Sequence, residues 1–464
     1  MAKEKVTSAK QLRVLVFTPS YHIIDGVTIT IRKIKREVEE QGGILKVVTA
    51  KDAEHLLEDS PGCFFIPSFK LPYGVEHYAI CRMLQSQTKK QLLEFRPNVV
   101  HVTAPDPLCY SVCRWARQEA GIPLMATWHS NIPDYLDHYG FVQRTAIKKI
   151  VTKLFQSQYS YCNWTFVPQK NLVPKMQREG YENKYTNNKL RVWGRGVDTD
   201  LFTPTKRSTE FREKNGAGEN DVVVLWVGRC VTEKEPQVFV AVMREMVKRF
   251  PNKVKGWVVG RGEWHSQMSS IDNVTGFGWK NSSELSVLYA NADILLFPSK
   301  VETFGNVTLE AMSSGIACVV DKKCSSHLID HGKNGYCCSN EEEFIQFTGK
   351  LIAEDANRKK MGVEGRNIAE STYKLKEVMK SMVQNYIDVA NFNDSEVSPV
   401  PSLWTNAFVY VIYLIVDSGG YILFHLLGNI LFPSADRRSQ YFKFVAAPIL
   451  IYVAWKLFSL VTGL

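Results

Sequence analysis

Glu302 and Glu310 stand eight residues apart in PSKVETFGNVTLEAMSSG, the stretch from Pro298 to Gly315. Carboxylates at such a spacing can accept hydrogen bonds from the hydroxyls of a sugar and of a ribose. Glu302 follows ILLFP, an apolar run with the length of a buried strand. Glu310 falls in a helix predicted to begin near Gly305. The N–H groups of Gly305, Asn306 and Val307 then lie at a helix N-terminus, where no earlier turn supplies carbonyls for them. Such a start attracts a phosphate or diphosphate. Taken alone, the spacing leaves another reading open, in which Glu310 caps or pairs on a helix surface. The preceding strand, Phe304-Gly305 and the small-residue turn AMSSG favour the ligand-binding one.

Side chains placed this way need a sheet behind them, and the chain has the pattern of two. LRVLVF, Leu12 to Phe17, is almost continuously apolar, as a strand covered on both faces would be. Val27, Ile31, Ile34 and Val38 follow at helical spacing, and Gly42-Gly43 ends that helix. Further strands are expected at Leu45–Thr49, Cys63–Ile66, Asn98–Val102, Pro123–Thr127 and Trp164–Pro168. A link rich in Gly, Asp and Pro is expected over Arg191–Pro204. A second series follows, with strands at Val222–Val227, Val254–Gly260, Asp293–Pro298 and Ile316–Val320. Helices are expected at Ser283–Asn291 and Glu342–Ala353. Alternating strands and helices make doubly wound parallel sheets, which bind ligands beyond the carboxyl ends of their strands. Two such domains facing each other would enclose a cleft.

The E-x7-E element with Phe-Gly between its glutamates, followed by LEAMSSG, resembles the retaining family-four glycosyltransferases of GT-B fold. The resemblance runs from about Leu12 to Asp388. It implies that Glu302 binds the transferred sugar and Glu310 the ribose. It also implies that Arg229 and Lys234, in VGRCVTEKE after the strand VVVLWV, bind the donor diphosphate. Two cations at a strand's end can neutralise a diphosphate leaving group as its charge grows. Gly26 matches the family's N-terminal glycine loop, although Asp25 stands where a second glycine is common. His129, in TWHSN, matches a histidine beside the sugar. Phe277 and Gly278, in GFGWKNSSEL, match the segment that contacts the base. No metal and no cofactor are implied, the nucleotide-sugar being a co-substrate. Asp198-Thr199-Asp200 looks like a metal-binding D-x-D but falls in the link, and Gly260–Trp264 is too short a glycine pattern to define a phosphate loop. Front-face attack, with the leaving diphosphate taking the acceptor's proton, is the mechanism the family implies, so no side chain is assigned as general base.

FRPNVVHVTAPDPL, TWHSNIPDYLDHYGF and RGVDTDLFTP resemble the lipid-directed branch, which includes sulfoquinovosyl-diacylglycerol synthases and glycolipid α-mannosyltransferases. A helix with Ile147, Ile150, Val151 and Leu154 on one face and Arg144, Lys148, Lys149 and Lys153 on the other would suit an anionic membrane surface. Packing of the same helix on its own domain is the other reading. Past Asn391 the composition changes. A polar linker leads to Trp404–Phe432 and Phe442–Leu464, two apolar segments long enough to meet a bilayer. Asp417 in the first, and Arg437, Arg438 and Lys443 between and within them, favour at least one re-entrant or surface-lying segment over two full spans.

The formal net charge of +10 fits nucleic acid, anionic lipid or phosphorylated substrates equally, but no nucleic-acid reader motif is present. Ten cysteines without zinc spacing read as reduced, buried thiols of a cytosolic protein. No secretory segment opens the chain, and a glycan on the Asn306 sequon would block the site. The expectation is a membrane-anchored transferase with its catalytic domains in the cytosol. It would carry a sugar from a UDP- or GDP-sugar to diacylglycerol or a glycolipid. The domains are expected at 1–195 (acceptor side) and 196–390 (donor side, its last helix free to return), with a linker over 391–403 and a membrane-associated helical tail over 404–464. A cut after Asp388 is expected to leave a soluble, nucleotide-binding protein. A nucleotide-sugar epimerase and a non-catalytic membrane scaffold are the alternatives.

Overall fold

The computed structural model describes residues 5–19, 21–23, 26–51, 62–70, 79–129, 144–182, 189–300, 302 and 304–392. Asp25 and the tail 393–464, with both apolar segments, lie outside the described residues. No helix among the described residues is long and apolar enough to cross a membrane. The chain divides into two compact units, one made of Met1–Trp193 with Met379–Leu464, the other of Gly194–Val378.

The first unit holds β1 (Arg13–Phe17), β2 (Ile44–Ala50), β3 (Cys63–Ile66), β4 (Ser68–Lys70), β5 (Ala79–Cys81), β6 (Val99–Val102), β7 (Leu124–Thr127), β8 (Trp164–Val167) and β9 (Lys189–Val192). Seven strands form one sheet in the order β3-β2-β1-β6-β7-β8-β9, all parallel, and β4 and β5 pair antiparallel beside it. The inner strands are buried along their length because helices cover both faces. The helix Gly26–Glu40 turns Ile31, Ile34 and Val38 onto the sheet. Gly42, at φ +84°, then reverses the chain into β2. Strand β9 takes in Arg191 and Val192, so the link begins later than expected. Its sequence, KLRV, is mostly exposed at the sheet edge and lacks the apolar run that marks an inner strand.

Two expectations for this unit need correction. In the helix Arg144–Tyr159, Leu154, Phe155 and Tyr159 are buried in the unit's core, and Trp128 packs against Phe155 and Tyr159 with centroids 6.2 and 5.3 Å away. Val151 is half-buried on the same core, while Lys149 and Lys153 are exposed. Where it is described, the apolar stripe is a core face, not a membrane face. The side chains of Arg144, Ile147, Lys148 and Ile150 lie outside the description. The folded chain also extends past Asp388. Asn391 bonds the Val6 backbone through both amide atoms, at 2.8 and 2.6 Å, and Phe392 packs edge-on to Trp164.

The second unit holds β10 (Val222–Val227), β11 (Val254–Val259), β12 (Val274–Gly278), β13 (Ile294–Phe297), β14 (Ala317–Asp321) and β15 (Gly335–Cys338). They form a parallel sheet in the order β12-β11-β10-β13-β14-β15. β10 is VVVLWV with every residue buried, and its neighbours β13 and β14 are buried throughout. The helices Pro236–Arg249 and Glu341–Ala353 cover one face of the sheet, and Asn306–Ser313 contributes to the other. Of the nine cysteines described, all but Cys63 are buried.

Candidate active site

The strand order of the second unit reverses between β10 and β13, so the loops leaving their carboxyl ends part to opposite faces. Such a switch point is where doubly wound sheets hold ligands. The β10 loop carries Arg229 and Lys234, and the β13 loop carries Glu302. The two loops touch. Lys234 Nζ lies 2.5 Å from Glu302 Oε1, with the side chains 14% and 19% exposed. Ser299 donates its hydroxyl to the same carboxylate oxygen at 3.3 Å. Arg229 is placed differently, being 68% exposed and paired with Glu233 of its own loop.

The helix Asn306–Ser313 begins directly after the β13 loop. Its N-cap is Gly305, at φ +99°, which brings no side chain to the first-turn N–H groups. A glycine suits this left-handed position because a Cβ there is strained. Asn306 is exposed and Val307 half-buried at the first two helical positions. Glu310, half-buried, follows one turn later. Tyr289 is fully buried beneath it, and its single hydroxyl proton is shared between Val307 O, at 3.2 Å, and the Glu310 carboxylate. Burial, and then the nearby Glu310 charge, push the Tyr289 phenol well above its ordinary value, so it stays a donor. At the far end of the helix, Arg366 Nη1 donates to Ser313 O at 2.5 Å, a favourable place for a cation.

The remaining loops brace this arrangement. A Cβ on Gly260 would meet Gly228 O at 1.8 Å, and one on Gly262 would meet Cys230 O at 2.3 Å. The glycines of Gly260–Trp264 therefore let this turn lie against the β10 loop, and Cys230 N bonds Arg261 O at 2.8 Å. Glu263 accepts the Thr232 hydroxyl at 2.8 Å from this turn. Phe277 packs edge-on to Trp257 at 5.4 Å, and Gly278 O accepts from Gly260 N at 2.8 Å. One carboxylate oxygen of Asp198 accepts from the N–H groups of Asp200 and Leu201, the bonding of an Asx turn. No group of three His, Cys, Asp or Glu among the described residues could hold a metal ion.

Gly26 and His129 belong to the first unit, after the carboxyl ends of β1 and β7. Gly26 opens its helix with open space where a Cβ would stand. His129 is buried and belongs to a chain of side chains. Tyr386 Oη meets His101 Nδ1 at 2.8 Å, His101 Nε2 meets Thr127 Oγ1 at 2.8 Å, and Thr127 Oγ1 meets His129 Nε2 at 2.6 Å. One hydroxyl has one proton to give, so Thr127 links the tautomers of the two rings.

Residues 24–201 match the model described as Glycosyltransferase Family 4, and residues 221–354 match that of Glycosyl transferases group 1. Together the two matches cover well over half of the chain, the first falling mostly on the first unit and the second within the second. The chain belongs to the family 4 glycosyltransferases. This transferase is 25% identical to the sulfoquinovosyl transferase SQD2 of Arabidopsis thaliana over 324 residues, which is 68% of the chain but only 60% of that protein. It is 23% identical to the alpha-monoglucosyldiacylglycerol synthase of Acholeplasma laidlawii over 408 residues, which is 83% of the chain and all of that protein. In structure it resembles the sucrose-phosphate synthase of Thermosynechococcus elongatus, with a TM-score of 0.64 at 18% identity over 81% of this chain and 98% of the other. That likeness shows the GT-B fold of two Rossmann-like α/β domains. Neither the epimerase nor the scaffold alternative gains support.

Five polar residues of the transferase's site escape sequence reasoning. Tyr289 reaches Glu310 from a helix 21 positions earlier, a contact that only packing creates. Ser299 lies in the very segment already singled out, but a lone serine carries no signal. Glu233 pairs with Arg229. Glu235 and Lys300 form a second ion pair between the same two loops, at 3.1 Å. Glu235 has φ +58° and ψ +46°, a left-handed conformation that costs a side-chain-bearing residue about 1–2 kcal/mol.

Proposed function

We propose that the enzyme is a retaining transferase that moves a sugar from a UDP- or GDP-sugar to a membrane lipid, diacylglycerol or a glycolipid. The contact between Lys234 and Glu302 at the β10–β13 switch point, beside a glycine-started helix that carries Glu310, supports this reading most. The diphosphate lies at the helix start, within reach of Lys234 and Arg229. The ribose reaches Glu310, and the base reaches Phe277 and Gly278. β12 stands two strands from β10, which at about 4.8 Å per strand leaves room for a nucleoside to extend along the sheet edge. Glu302 accepts a hydroxyl of the transferred sugar.

In the reaction, the bond from the sugar's anomeric carbon to the diphosphate oxygen breaks, and its electron pair stays on the phosphate. Lys234 and Arg229 stabilise that charge. The acceptor oxygen bonds the anomeric carbon on the face the phosphate leaves, and its proton passes to the phosphate oxygen. Binding, orientation and charge stabilisation are then the protein's whole contribution, and no side-chain base or metal is required.

A lipid acceptor accords with the name of the alpha-monoglucosyldiacylglycerol synthase, with the +10 charge and with the apolar segments of the tail. A cytosol-facing catalytic region accords with Asn163, whose sequon is fully buried and whose side chain accepts from Leu124 N, leaving no room for a glycan. The test is a panel of UDP- and GDP-sugars with a total lipid extract, run with wild type and Glu310→Gln. Transfer from one donor class with the anomeric configuration kept is expected, and a loss of roughly 10²-fold in kcat/KM in the variant. Inverted product, or wild-type turnover by purified Glu310→Gln, would overturn it.

A further inference from the structure

Lys234 and Glu235 are neighbours, and so, one residue apart, are Lys300 and Glu302. Each pair faces the other with charges crossed. Lys234 Nζ meets Glu302 at 2.5 Å, and Glu235 Oε2 meets Lys300 Nζ at 3.1 Å. Glu235 also accepts from Gln237 Nε2 at 2.7 Å. The backbone makes the arrangement unusual. Glu235 is left-handed at φ +58°, directly before Pro236, and the proline ring disfavours the right-handed helical alternative. Left-handed positions at functional loops default to glycine, and a non-glycine there persists only where its surroundings hold it. Here the holding groups are Lys300 and Gln237.

We propose that Glu235 and Lys300 are positioning residues. Their ion pair locks the Thr232–Lys234 turn to the loop after β13 and so keeps Lys234 against Glu302, where both meet the donor. The proposal rests on the donor-site reading above. Without the carboxylate, the left-handed turn loses its anchor, and Lys234 no longer has a fixed distance to the phosphate. The effect therefore falls on the donor and leaves the acceptor alone.

Initial-rate kinetics of the full chain test this, with Glu235→Gln, Lys300→Met, their double variant and Lys300→Arg, and with Lys234→Ala as reference. Each of the first two should raise donor KM about tenfold, leaving acceptor KM unchanged. The double variant should be no worse than either single one, since both remove one interaction. Lys300→Arg should restore near wild-type donor KM. Glu235→Gly adopts the same backbone without strain, so it shows the loss of the charge in a protein that folds. Wild-type donor KM in the single variants, or effects that multiply in the double one, would overturn the proposal. Should Lys234→Ala raise donor KM while the others do not, the positioning role alone falls. Should Lys234→Ala also leave it unchanged, the donor-site reading falls and takes the clamp with it.

Discussion

An ion pair largely screened from water is held more firmly than one on an open surface, because losing either partner strands a charge. Lys234 and Glu302 form such a pair, whereas Arg229 is open to solvent and its pairing with Glu233 is a surface contact. Of the two cations expected to grip a diphosphate, Lys234 is thus the fixed one and Arg229 the adaptable one. Tyr289 supports Glu310 from below, and its hydroxyl is the only part removed by Tyr289→Phe. One hydrogen bond to a carboxylate is worth about 1.5–3 kcal/mol, so donor KM should rise roughly tenfold or more, and the melting temperature should fall by a few degrees because a buried acceptor loses its donor. Donor titration beside thermal unfolding reads both numbers, and equal KM values would remove Tyr289 from the site. Glu302 and Glu310 were legible because strand, glycine and helix surround them in one continuous stretch. Tyr289, Glu235 and Lys300 were not, since two of them meet partners distant in sequence and the third takes a backbone conformation that nothing in TEKEP announces.

Among the elements, the inner strands could be read from composition because burial on both faces demands apolar runs. β10 is the plainest case, with VVVLWV predicted and observed over the same six residues. β9, β12 and β15 lie at sheet edges, and none was legible as a strand: charge and exposure dilute the pattern in β9, glycine and exposure in β12, and β15 is a buried but short run led by glycine. The helix Arg144–Tyr159 shows the opposite failing. Its apolar stripe is real, but periodicity does not say whether a core or a membrane covers it. The glycine-started helix carries a pH signature of its own. His327 packs its ring edge-on to Phe304 at 5.0 Å, just before Gly305. Burial lowers its pKa from 6.5 to about 4, so the folded state prefers the neutral ring. The stability this confers is complete above about pH 6.5 and is lost as pH falls toward 4. His327→Gln should flatten the fall in unfolding free energy across that window, measured by denaturant titration. An unchanged slope would show that the ring does not titrate there.

At the scale of the whole molecule, the fold is a pair of Rossmann-like units, and the last helix, Leu375–Ala390, ends in the first of them. Val389 and Ala390 are buried there, and Asn391 clasps Val6. A chain cut after Phe392 should therefore fold and bind nucleotide like the full chain. A cut after Asp388 should lose about 2–4 kcal/mol through the exposed valine and the missing bonds, which thermal unfolding of the two proteins would show. Equal melting temperatures would mean that the last residues are not part of the core. All of this serves one central claim, that the β10–β13 switch point binds a nucleoside diphosphate through Lys234. Calorimetric titration of the full chain and of Lys234→Ala with UDP and with GDP measures it directly. The account predicts that wild type binds one of the two with a Kd on the order of 1 μM to 1 mM, and that Lys234→Ala binds it at least about tenfold more weakly. Equal affinity in the two proteins, or no binding of either nucleotide by wild type, would contradict it.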